Sequence, residues 1–327
     1  MRDLATLPKA HLHIHLEGGM RPSTLAELAA HYGIEVPKIR GFGSFSVFAE
    51  MYVAACAVLR TPEDLRRLVD ETVQDAKAAG AAWVEPSLFA PHHNERIGSN
   101  EEVLEIVLEA LAEASTRHGI GAGLMVAADR TRPVAAAAAQ ATLAVKYADQ
   151  GVVAFGLAND EAPFPPEPFA RAYGIIRDAG LLSTPHAGEL SGPESVRGAL
   201  DALGADRVQH GVRAIEDPEL VARLADEGVC CDVCPSSNLA LAVYPSLAEH
   251  PLGALLDAGV PCSLNADDPL LFGPQLLEEY QLCRDQLGFD DARMAHIARC
   301  SIDHSGAPLE LKRRASARID EWIASPG

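Results

Sequence analysis

The residues most able to do chemistry lie near the start of the chain, in the stretch Leu12–Gly18 (LHIHLEG). In an extended strand alternate side chains share a face, so we expect His13 and His15 to point the same way. Two imidazoles held side by side on a strand form half of a transition-metal site, and zinc is the usual ion when nitrogen and carboxylate ligands complete it. An isolated pair of this kind is more often a packing detail, so the interpretation depends on whether further ligands follow.

Further candidate ligands follow at three points, each directly after a strand-like apolar run. The first is His186-Ala187-Gly188-Glu189, the second contains His210, and the third contains Asp267 and Asp268. The carboxyl ends of parallel strands meet at one end of a barrel, so these side chains are expected to lie together. Histidine and aspartate side chains would then surround one ion, with Glu189 just above it.

Strand-like and helix-like segments alternate along the chain, and this alternation would position the motifs. After the opening strand, the predicted strands are 83–89, 120–127, 152–158, 181–186, 207–210, 229–234 and 260–265. The predicted helices include 21–32, 100–118, 134–149, 168–179, 194–203 and 252–258. Eight strands alternating with helices predict an α/β fold, a (β/α)8 TIM barrel, rather than an open sheet. No linker divides the chain, so residues 1–327 are expected to form one domain, with extra helices over the C-terminal mouth of the barrel and at the C-terminus.

The segment Gly41–Leu59 differs from its neighbours because it is crowded with aromatic residues and carries little charge. One interpretation is a buried helix. The other is a helical flap over the mouth of a pocket, where aromatic side chains would cover a flat ligand and exclude water. The sequence leaves both open.

The composition limits the class of protein and its partners. A length of 327 residues and an apolar content of 48%, with only 5% aromatic residues, fit a soluble enzyme rich in aliphatic helices. The net charge of -19 argues against binding to nucleic acid or to an anionic membrane surface. The seven cysteines follow no disulfide pattern, the first residues lack the apolar core of a signal peptide, and no apolar run is long enough to cross a membrane. We therefore expect a cytoplasmic protein that acts on a small molecule, and the oligomeric state is left open.

With these motifs in place, the chain resembles the adenosine deaminase-like branch of the metal-dependent amidohydrolases from Pro8 to Phe272. The resemblance rests on His-x-His followed by an acidic residue and Gly, on His-Ala-Gly-Glu, and on Ser-Leu-Asn-x-Asp-Asp-Pro. It implies one Zn²⁺ per chain, bound by His13, His15, His186 and Asp267. Two-metal relatives typically bridge their ions with a modified lysine at the end of the fourth strand. Residues 155–161 contain no lysine, so a single ion is expected.

The resemblance also implies roles for the residues around the ion. Glu189 would protonate the purine nitrogen N1, His210 would orient or deprotonate the attacking water, and Asp268 would contact N7. The implied catalytic residues are Glu189, His210 and Asp267, and the implied substrate-binding residues are Glu17, Asn159, Gly188 and Asp268. The residue types suit this chemistry independently, because zinc lowers the pKa of a bound water to about 7 and a carboxylic acid kept protonated in a dry pocket can supply a proton.

Three positions depart from the family pattern on the substrate side. Asn159 stands where the family usually has Gly, beside the N3 edge of the purine. Gln209 stands where Gly commonly precedes the histidine of the sixth strand, and Glu17 stands where animal-type adenosine deaminases carry Asp. Asn159 adds bulk and two hydrogen-bonding groups beside the base, so purine deamination is expected while the purine itself is left open.

The sequence therefore predicts a zinc-dependent hydrolytic deaminase of an aminopurine, with adenosine or a related nucleoside as first choice, that forms the 6-oxo purine and ammonia. Free adenine and a modified adenosine such as aminodeoxyfutalosine are alternatives within this class. Outside it, the alternatives are a hydrolase of another C–N bond in the same superfamily and a non-catalytic purine-binding protein. Glu189 and the Asp267-Asp268 pair count against the first, and the complete set of ligands counts against the second.

Overall fold

Eight parallel strand positions form a (β/α)8 barrel in the computed structural model, which describes residues 1–36, 38–39, 42 and 44–325. The strands are β1 (Lys9–His15), β2 (Ala81–Leu88), β3 (Gly121–Ala122 and Leu124–Asp129), β4 (Val152–Ala158), β5 (Leu182–Ser183 and His186–Ala187), β6 (Arg207–His210), β7 (Cys230–Val233) and β8 (Cys262–Leu264). Each strand pairs in parallel with its neighbours in chain order from β1 to β8.

The barrel closes where β1 meets the segment that follows β8. The N–H of His15 donates to the carbonyl oxygen of Asp267 at 3.1 Å, and the N–H of Asp267 donates to the carbonyl oxygen of His13 at 3.0 Å. The side-chain oxygen of Asn265 accepts from the N–H groups of Leu12 and His13, at 2.7 and 3.1 Å. The first strand therefore carries its histidines directly alongside Asp267.

Helices cover the outside of the barrel and both of its ends. In the described residues they are α1 (Pro22–Tyr32), α2 (Phe45–Cys56), α3 (Pro62–Ala78), α4 (Asn100–His118), α5 (Val134–Lys146), α6 (Ala170–Asp178), α7 (Pro193–Leu203), α8 (Pro218–Glu227), α9 (Pro235–Ala240), α10 (Leu252–Asp257), α11 (Pro269–Phe272), α12 (Leu276–Leu287), α13 (Asp291–Asp303) and α14 (Leu309–Ala324). Across this part of the chain, no helix combines the length and the hydropathy needed to cross a bilayer.

Local signals explain where several helices begin and end. Thr61 caps α3 and Ser99 caps α4, each in a capping box with the acidic residue three positions later. Gly33 ends α1 in the left-handed conformation, with φ of 63°, which glycine adopts without steric cost.

The predicted barrel is confirmed, and several elements have the expected bounds. β4, β6 and α4 begin and end at the predicted residues. β5 is shorter than predicted and is divided in two, because Pro185 has no N–H to donate to a neighbouring strand. α5 ends at Lys146 rather than Asp149, and the chain continues as a 3₁₀ turn over Ala148–Gln150.

α2 lies across the C-terminal mouth of the barrel and supports the flap interpretation. Its side chains on the cavity are Phe45, Phe48, Ala49, Tyr52 and Val53. Phe48 stacks on Phe272 of α11 with ring centroids 5.1 Å apart, so the helix rests on the segment that follows the last strand. The start of the predicted segment, Gly41, lies outside the described residues.

A buried ion cluster joins three strands beneath the mouth. Arg207 begins β6, and its Nε donates to Oδ2 of Asp232 at 2.9 Å while its Nη2 donates to Oε2 of Glu85 at 2.7 Å. The other carboxylate oxygens accept from Trp83 Nε1 and Ser263 Oγ, both at 2.7 Å. All three ionised side chains are fully buried, so each depends on its partners for compensation.

Candidate active site

The predicted ligands come together at the ends of β1, β5 and β8. Nε2 of His13 and Nε2 of His15 each lie 3.3 Å from Oδ1 of Asp267. The ring of His186 has its centroid 4.8 Å from that of His13 and 5.2 Å from that of His15. One ligating atom from each of His13, His186, His210 and Asp267 lies within 4.8 Å of the others. This group therefore contains three of the predicted ligands and His210, while the fourth predicted ligand, His15, approaches it through its contacts with Asp267 and the ring of His186.

The spacing of these groups suits a tetrahedrally bound ion. Two ligand atoms that are each about 2.0–2.1 Å from Zn²⁺ stand roughly 3.3 Å apart, which matches the separations of Asp267 from His13 and His15. Among the described residues, Nε2 of His13, which lies against Asp267, is buried without a hydrogen-bond partner, as expected of an atom that faces a cation. Nδ1 of His13 lies 3.2 Å from the carbonyl oxygen of Asp232, which turns Nε2 toward the centre.

Burial and neighbouring groups set the charges of the site. Burial, together with the nearby imidazoles, holds the pKa of His186 well below its usual range, so its nitrogen lone pairs are available to a metal. Burial alone would raise the pKa of Asp267, but His13 and His15 hold it well below the usual range. Burial, and then the charge of Asp267, raise the pKa of Glu189 well above its usual range. The site therefore combines the neutral imidazole of His186 and the carboxylate of Asp267 with an acid, Glu189, that keeps its proton.

Strained backbone is concentrated at the strand ends that face the cavity. Asn159, His210 and Asp267 have φ of 84°, 64° and 59°, and in the described part of the chain only one other non-glycine residue has a positive φ. Asn, Asp and His tolerate the left-handed region better than other side chains. All three side chains line the cavity, which agrees with the tendency of backbone strain to occur at functional sites.

Glu189 sits on a turn that is held by a second buried carboxylate, that of Glu161. The oxygens of Glu161 accept four backbone N–H groups, from Gly188 at 2.5 Å, Glu189 at 3.0 Å, Leu190 at 2.8 Å and Ser191 at 3.1 Å. The Glu189 carboxyl is aimed into the cavity, where Oε2 lies 3.5 Å from Nε2 of His210. Glu161 was not among the predicted site residues, although it lies in residues 155–161 at the end of the fourth strand.

Asp268 lines the cavity and packs against the backbone of Gly18, which follows β1. A Cβ atom on Gly18 would lie 1.8 Å from Oδ1 of Asp268, so only glycine leaves room for this carboxyl. Oδ1 has no hydrogen-bond partner in the described residues. Burial, and then the charge of Asp267, raise the pKa of Asp268 well above its usual range, so the group can donate a proton in a hydrogen bond.

Glu17 lies behind the cavity wall, where both of its carboxylate oxygens are engaged. Oε1 is 2.6 Å from Nε2 of His93, and Oε2 accepts from the Tyr52 hydroxyl at 2.8 Å. Burial alone would raise the pKa of Glu17, but its hydrogen bond and charge interaction with His93 lower it to about 2. Glu17 therefore anchors α2 to the strand that carries the first two histidines, and direct contact of Glu17 with substrate stays a prediction.

The other two predicted substrate contacts occupy different positions. Asn159 lines the cavity, and its Oδ1 accepts the N–H of Asp160 at 2.8 Å, a bond that does not use the amide nitrogen. Gly188 has φ of 69°, and a Cβ there would lie 2.4 Å from a methyl group of Val196. The N–H of Gly188 is given to Glu161, so this residue supports the turn, and its contact with substrate also stays a prediction.

The cavity combines polar groups with an aromatic wall. Its polar lining is His15, Ser87, His92, Asp129, Asn159, His186, Glu189, His210, Asp267 and Asp268. Its larger apolar lining residues are Phe45, Phe48, Tyr52, Val53, Phe89 and Leu241. Such a lining suits a flat ring with polar edges, because the ring faces meet apolar side chains while the edges form hydrogen bonds.

Besides Glu161 and the lining residues Ser87, His92 and Asp129, three residues that support the predicted site were missed from the sequence. Ser237 donates to Oδ2 of Asp267 at 2.6 Å, and Nδ2 of Asn238 lies 3.3 Å from Nδ1 of His210. Both lie on α9 directly after β7, so the strand-end rule that found the other motifs would have found them. His250 reaches the site through Asn238, and its position before α10 carries no comparable signal.

Known proteins match almost the whole chain. The family model for adenosine deaminase matches residues 8–322. A protein of Streptomyces coelicolor provisionally named adenosine/adenine deaminase is 46% identical over 345 residues, with 99% of each chain covered. The adenine deaminase of Sinorhizobium medicae is 38% identical and covers 96% of this chain and 99% of its own length.

Solved structures agree with the sequence matches. The adenine deaminase of Arthrobacter aurescens superposes with a TM-score of 0.91 at 30% identity, covering 97% of this chain and 99% of its own. An amidohydrolase of Burkholderia ambifaria with bound Zn superposes with a TM-score of 0.87 at 26% identity, covering 98% of this chain and 92% of its own.

Proposed function

The chain belongs to the adenosine deaminase family, and within that family we propose that its preferred substrate is free adenine and that its products are the 6-oxo purine and ammonia. As a member of this family, the protein is a hydrolase of C–N bonds in cyclic amidines, and its reaction class is the deamination of an aminopurine. The observation that carries the reaction class at the site is the meeting of three histidines, Asp267 and the acid Glu189 in one cavity.

We propose one Zn²⁺ per chain, held by His13, His15, His186 and Asp267. The donor set fits, because nitrogen and carboxylate ligands at this spacing suit zinc, and a solved neighbour contains bound Zn. When bound, the ion would lower the pKa of a water molecule toward neutrality and so provide the nucleophile. Elemental analysis of the purified protein should find close to one zinc per chain, and two tightly held metals, or none in an active enzyme, would contradict the proposal.

The other polar residues would each contact a different nitrogen of the purine ring. Glu189, which keeps its proton, gives it to N1, so that attack at C6 does not leave a negative charge on the ring. Asp268, which also keeps its proton, donates a hydrogen bond to N7, an acceptor. Asn159 faces the N3 edge and can donate through its amide nitrogen.

This orientation of the purine is the basis for proposing the free base. N9 carries the ribose of a nucleoside and lies between N3 and N7, so in the proposed orientation it would point away from the ion, and we place it toward α2. Phe45, Phe48 and Val53 of that helix offer no hydrogen bond to ribose hydroxyls. The Tyr52 hydroxyl is already donated to Glu17. A ribose hydroxyl beside these side chains would therefore lose its hydrogen bonds to water without replacement, which typically costs about 1–3 kcal/mol for each buried polar group.

The test is an ammonia assay of the zinc-loaded protein against adenine, adenosine and other aminopurines. We expect kcat/KM for adenine to exceed that for adenosine by about tenfold or more. Glu189→Gln is the control, because it keeps the shape of the side chain and removes the transferable proton. It should keep its zinc and lose at least about 10²-fold in rate. Release of no ammonia from any purine, or a Glu189→Gln variant within about threefold of the wild-type rate, would refute the reaction or the acid.

Adenosine is the second candidate, because the relative with 46% identity bears both substrates in its name. It is also the substrate that the sequence motifs put first. The same assay separates the two, since a higher kcat/KM for adenosine than for adenine would replace our first proposal with this one.

A further inference from the structure

A chain of hydrogen bonds runs from the start of α10 to His210 in the active site. The backbone N–H of Leu252 donates to Nδ1 of His250 at 3.3 Å. Nε2 of His250 lies 3.0 Å from Oδ1 of Asn238, and Nδ2 of Asn238 lies 3.3 Å from Nδ1 of His210. The side chains of His250, Asn238 and His210 belong to residues that are only 6%, 0% and 1% exposed, so bulk water does not compete for these bonds.

The direction of every bond in this chain follows from its first member. A backbone N–H can only donate, so Nδ1 of His250 carries a lone pair rather than a proton. Burial lowers the pKa of His250 to about 4, so the ring is neutral at pH 7 and its single proton is on Nε2. Oδ1 of Asn238 accepts that proton, and the amide nitrogen of Asn238 must then donate to Nδ1 of His210.

We propose that His250 and Asn238 are positioning residues that hold His210 in the tautomer with its proton on Nε2, the nitrogen that faces the cavity. Nε2 of His210 lies 3.5 Å from Oε2 of Glu189 and 3.8 Å from Oδ2 of Asp267. In this tautomer His210 orients the attacking water by donating a hydrogen bond to its oxygen, and it cannot take the proton of the water. The role in catalysis rests on the proposed function, whereas the tautomer is a property of the folded chain.

This tautomer decides between the two roles that the sequence left open for His210. As the C6–O bond forms, the proton of the water passes to Asp267 while Glu189 gives its own proton to N1. Asp267 then returns its proton to the amino group, the C6–N bond breaks, and ammonia leaves. The proton of the C6 hydroxyl returns to Glu189, which leaves a carbonyl at C6 and both acids in their starting states.

The direct test is the nitrogen-15 NMR of histidine side chains in the zinc-loaded protein, which separates protonated from unprotonated ring nitrogens. We expect His210 and His250 both to carry the proton on Nε2, and a His210→Gln variant assigns the signal by removing it. Asn238→Asp replaces the donor toward His210 with an acceptor of the same shape. This change should move the proton of His210 to Nδ1 while His250 keeps its own on Nε2.

The kinetic arm separates positioning from a general structural role. Asn238→Asp should lower kcat by about 10–100-fold, the usual effect of losing such a supporting group, with less change in KM. Tyr244→Phe is the matched control. The rings of Tyr244 and His250 pack with their centroids 5.3 Å apart, but the Tyr244 hydroxyl takes no part in the hydrogen bonds from His250 to His210, because it donates to the carbonyl oxygen of Val212. It should leave the tautomers unchanged. A wild-type His210 with its proton on Nδ1, or an Asn238→Asp variant that folds without changing the tautomer, would overturn the proposal, and neither result depends on which purine the enzyme deaminates.

Discussion

Among single residues, Glu161 most directly sets the position of the acid Glu189. Its carboxylate gathers four N–H groups from one turn, and no neutral side chain offers two oxygens for that purpose. The turn would otherwise leave several buried N–H groups without acceptors. The geometry of the proton donor is therefore set by a residue that does not itself line the cavity.

We expect Glu161→Gln to lower kcat/KM by about 10–100-fold with zinc content unchanged. The amide keeps one oxygen and places an NH₂ group against the remaining N–H donors, which loosens the turn and misplaces Glu189. The measurement is steady-state kinetics with elemental analysis. The matched control is Glu167→Gln, an exposed neighbour, which should behave as wild type. Wild-type kinetics for Glu161→Gln would show that the turn holds its shape without the carboxylate.

Asn159 is the residue on which we expect substrate choice to depend. It occupies a left-handed backbone position with φ of 84°, so Asn159→Gly relieves strain while it removes the side chain from the cavity. A polar group that satisfies one substrate is left unpaired by another, so the variant should change the ratio of kcat/KM for adenine and adenosine by about tenfold. Zinc content should stay the same. If both substrates change equally, Asn159 is scaffolding, and selectivity lies in Glu17, Gln209 or α2.

Among the elements, α2 is tied to the end of β1 by one hydrogen bond, which the Tyr52 hydroxyl donates to Glu17. Tyr52→Phe keeps the aromatic wall and removes the hydroxyl that Glu17 accepts. A hydrogen bond to a charged group contributes about 1.5–3 kcal/mol, so we expect KM for adenine to rise by about tenfold or more because the helix is held less firmly over the cavity. Initial-rate kinetics measure this, with Glu50→Gln on the exposed side of α2 as the control. An unchanged KM would mean that the aromatic contact of Phe48 with Phe272 holds the helix by itself.

The helices and strands were largely predictable from the sequence, and so were most of the side chains at the centre of the site. Alternation of strands and helices predicted the barrel, and motifs at strand ends predicted His13, His186 and Asp267 of the four-residue group that the structure shows, whereas its fourth member is His210 rather than the predicted His15. Residues that act through a hydrogen bond from another part of the chain were not predictable in the same way. His250 gives no local signal because its partner Asn238 is brought to it only by the fold. The orientation of the Glu17 carboxylate away from the cavity was likewise not predictable, because its partners Tyr52 and His93 come from other parts of the chain.

For the whole molecule, stability depends strongly on the ion cluster of Arg207, Glu85 and Asp232. Removing one partner of a buried ion pair leaves an uncompensated charge, so Arg207→Met should lower the free energy of unfolding by about 3–5 kcal/mol. Chemical denaturation followed by circular dichroism measures this. A variant that also carries Glu85→Gln and Asp232→Asn should recover part of the loss, because it buries no unpaired charge. A loss below about 1 kcal/mol for Arg207→Met would mean that water or backbone groups replace the guanidinium.

The seam between β1 and the end of β8 also determines when the protein can first work during its synthesis. His13 and Asn265, which hydrogen-bond across that seam, are 252 positions apart. At a translation rate of about 5–20 residues per second, roughly 13–50 s separate the appearance of these two residues. Through that interval the growing chain contains two histidines of the proposed ion site, while its proposed carboxylate ligand has not yet been synthesised. A chain that ends before Asp267 lacks both the seam and the proposed carboxylate ligand, so we expect every shorter translation product to be inactive.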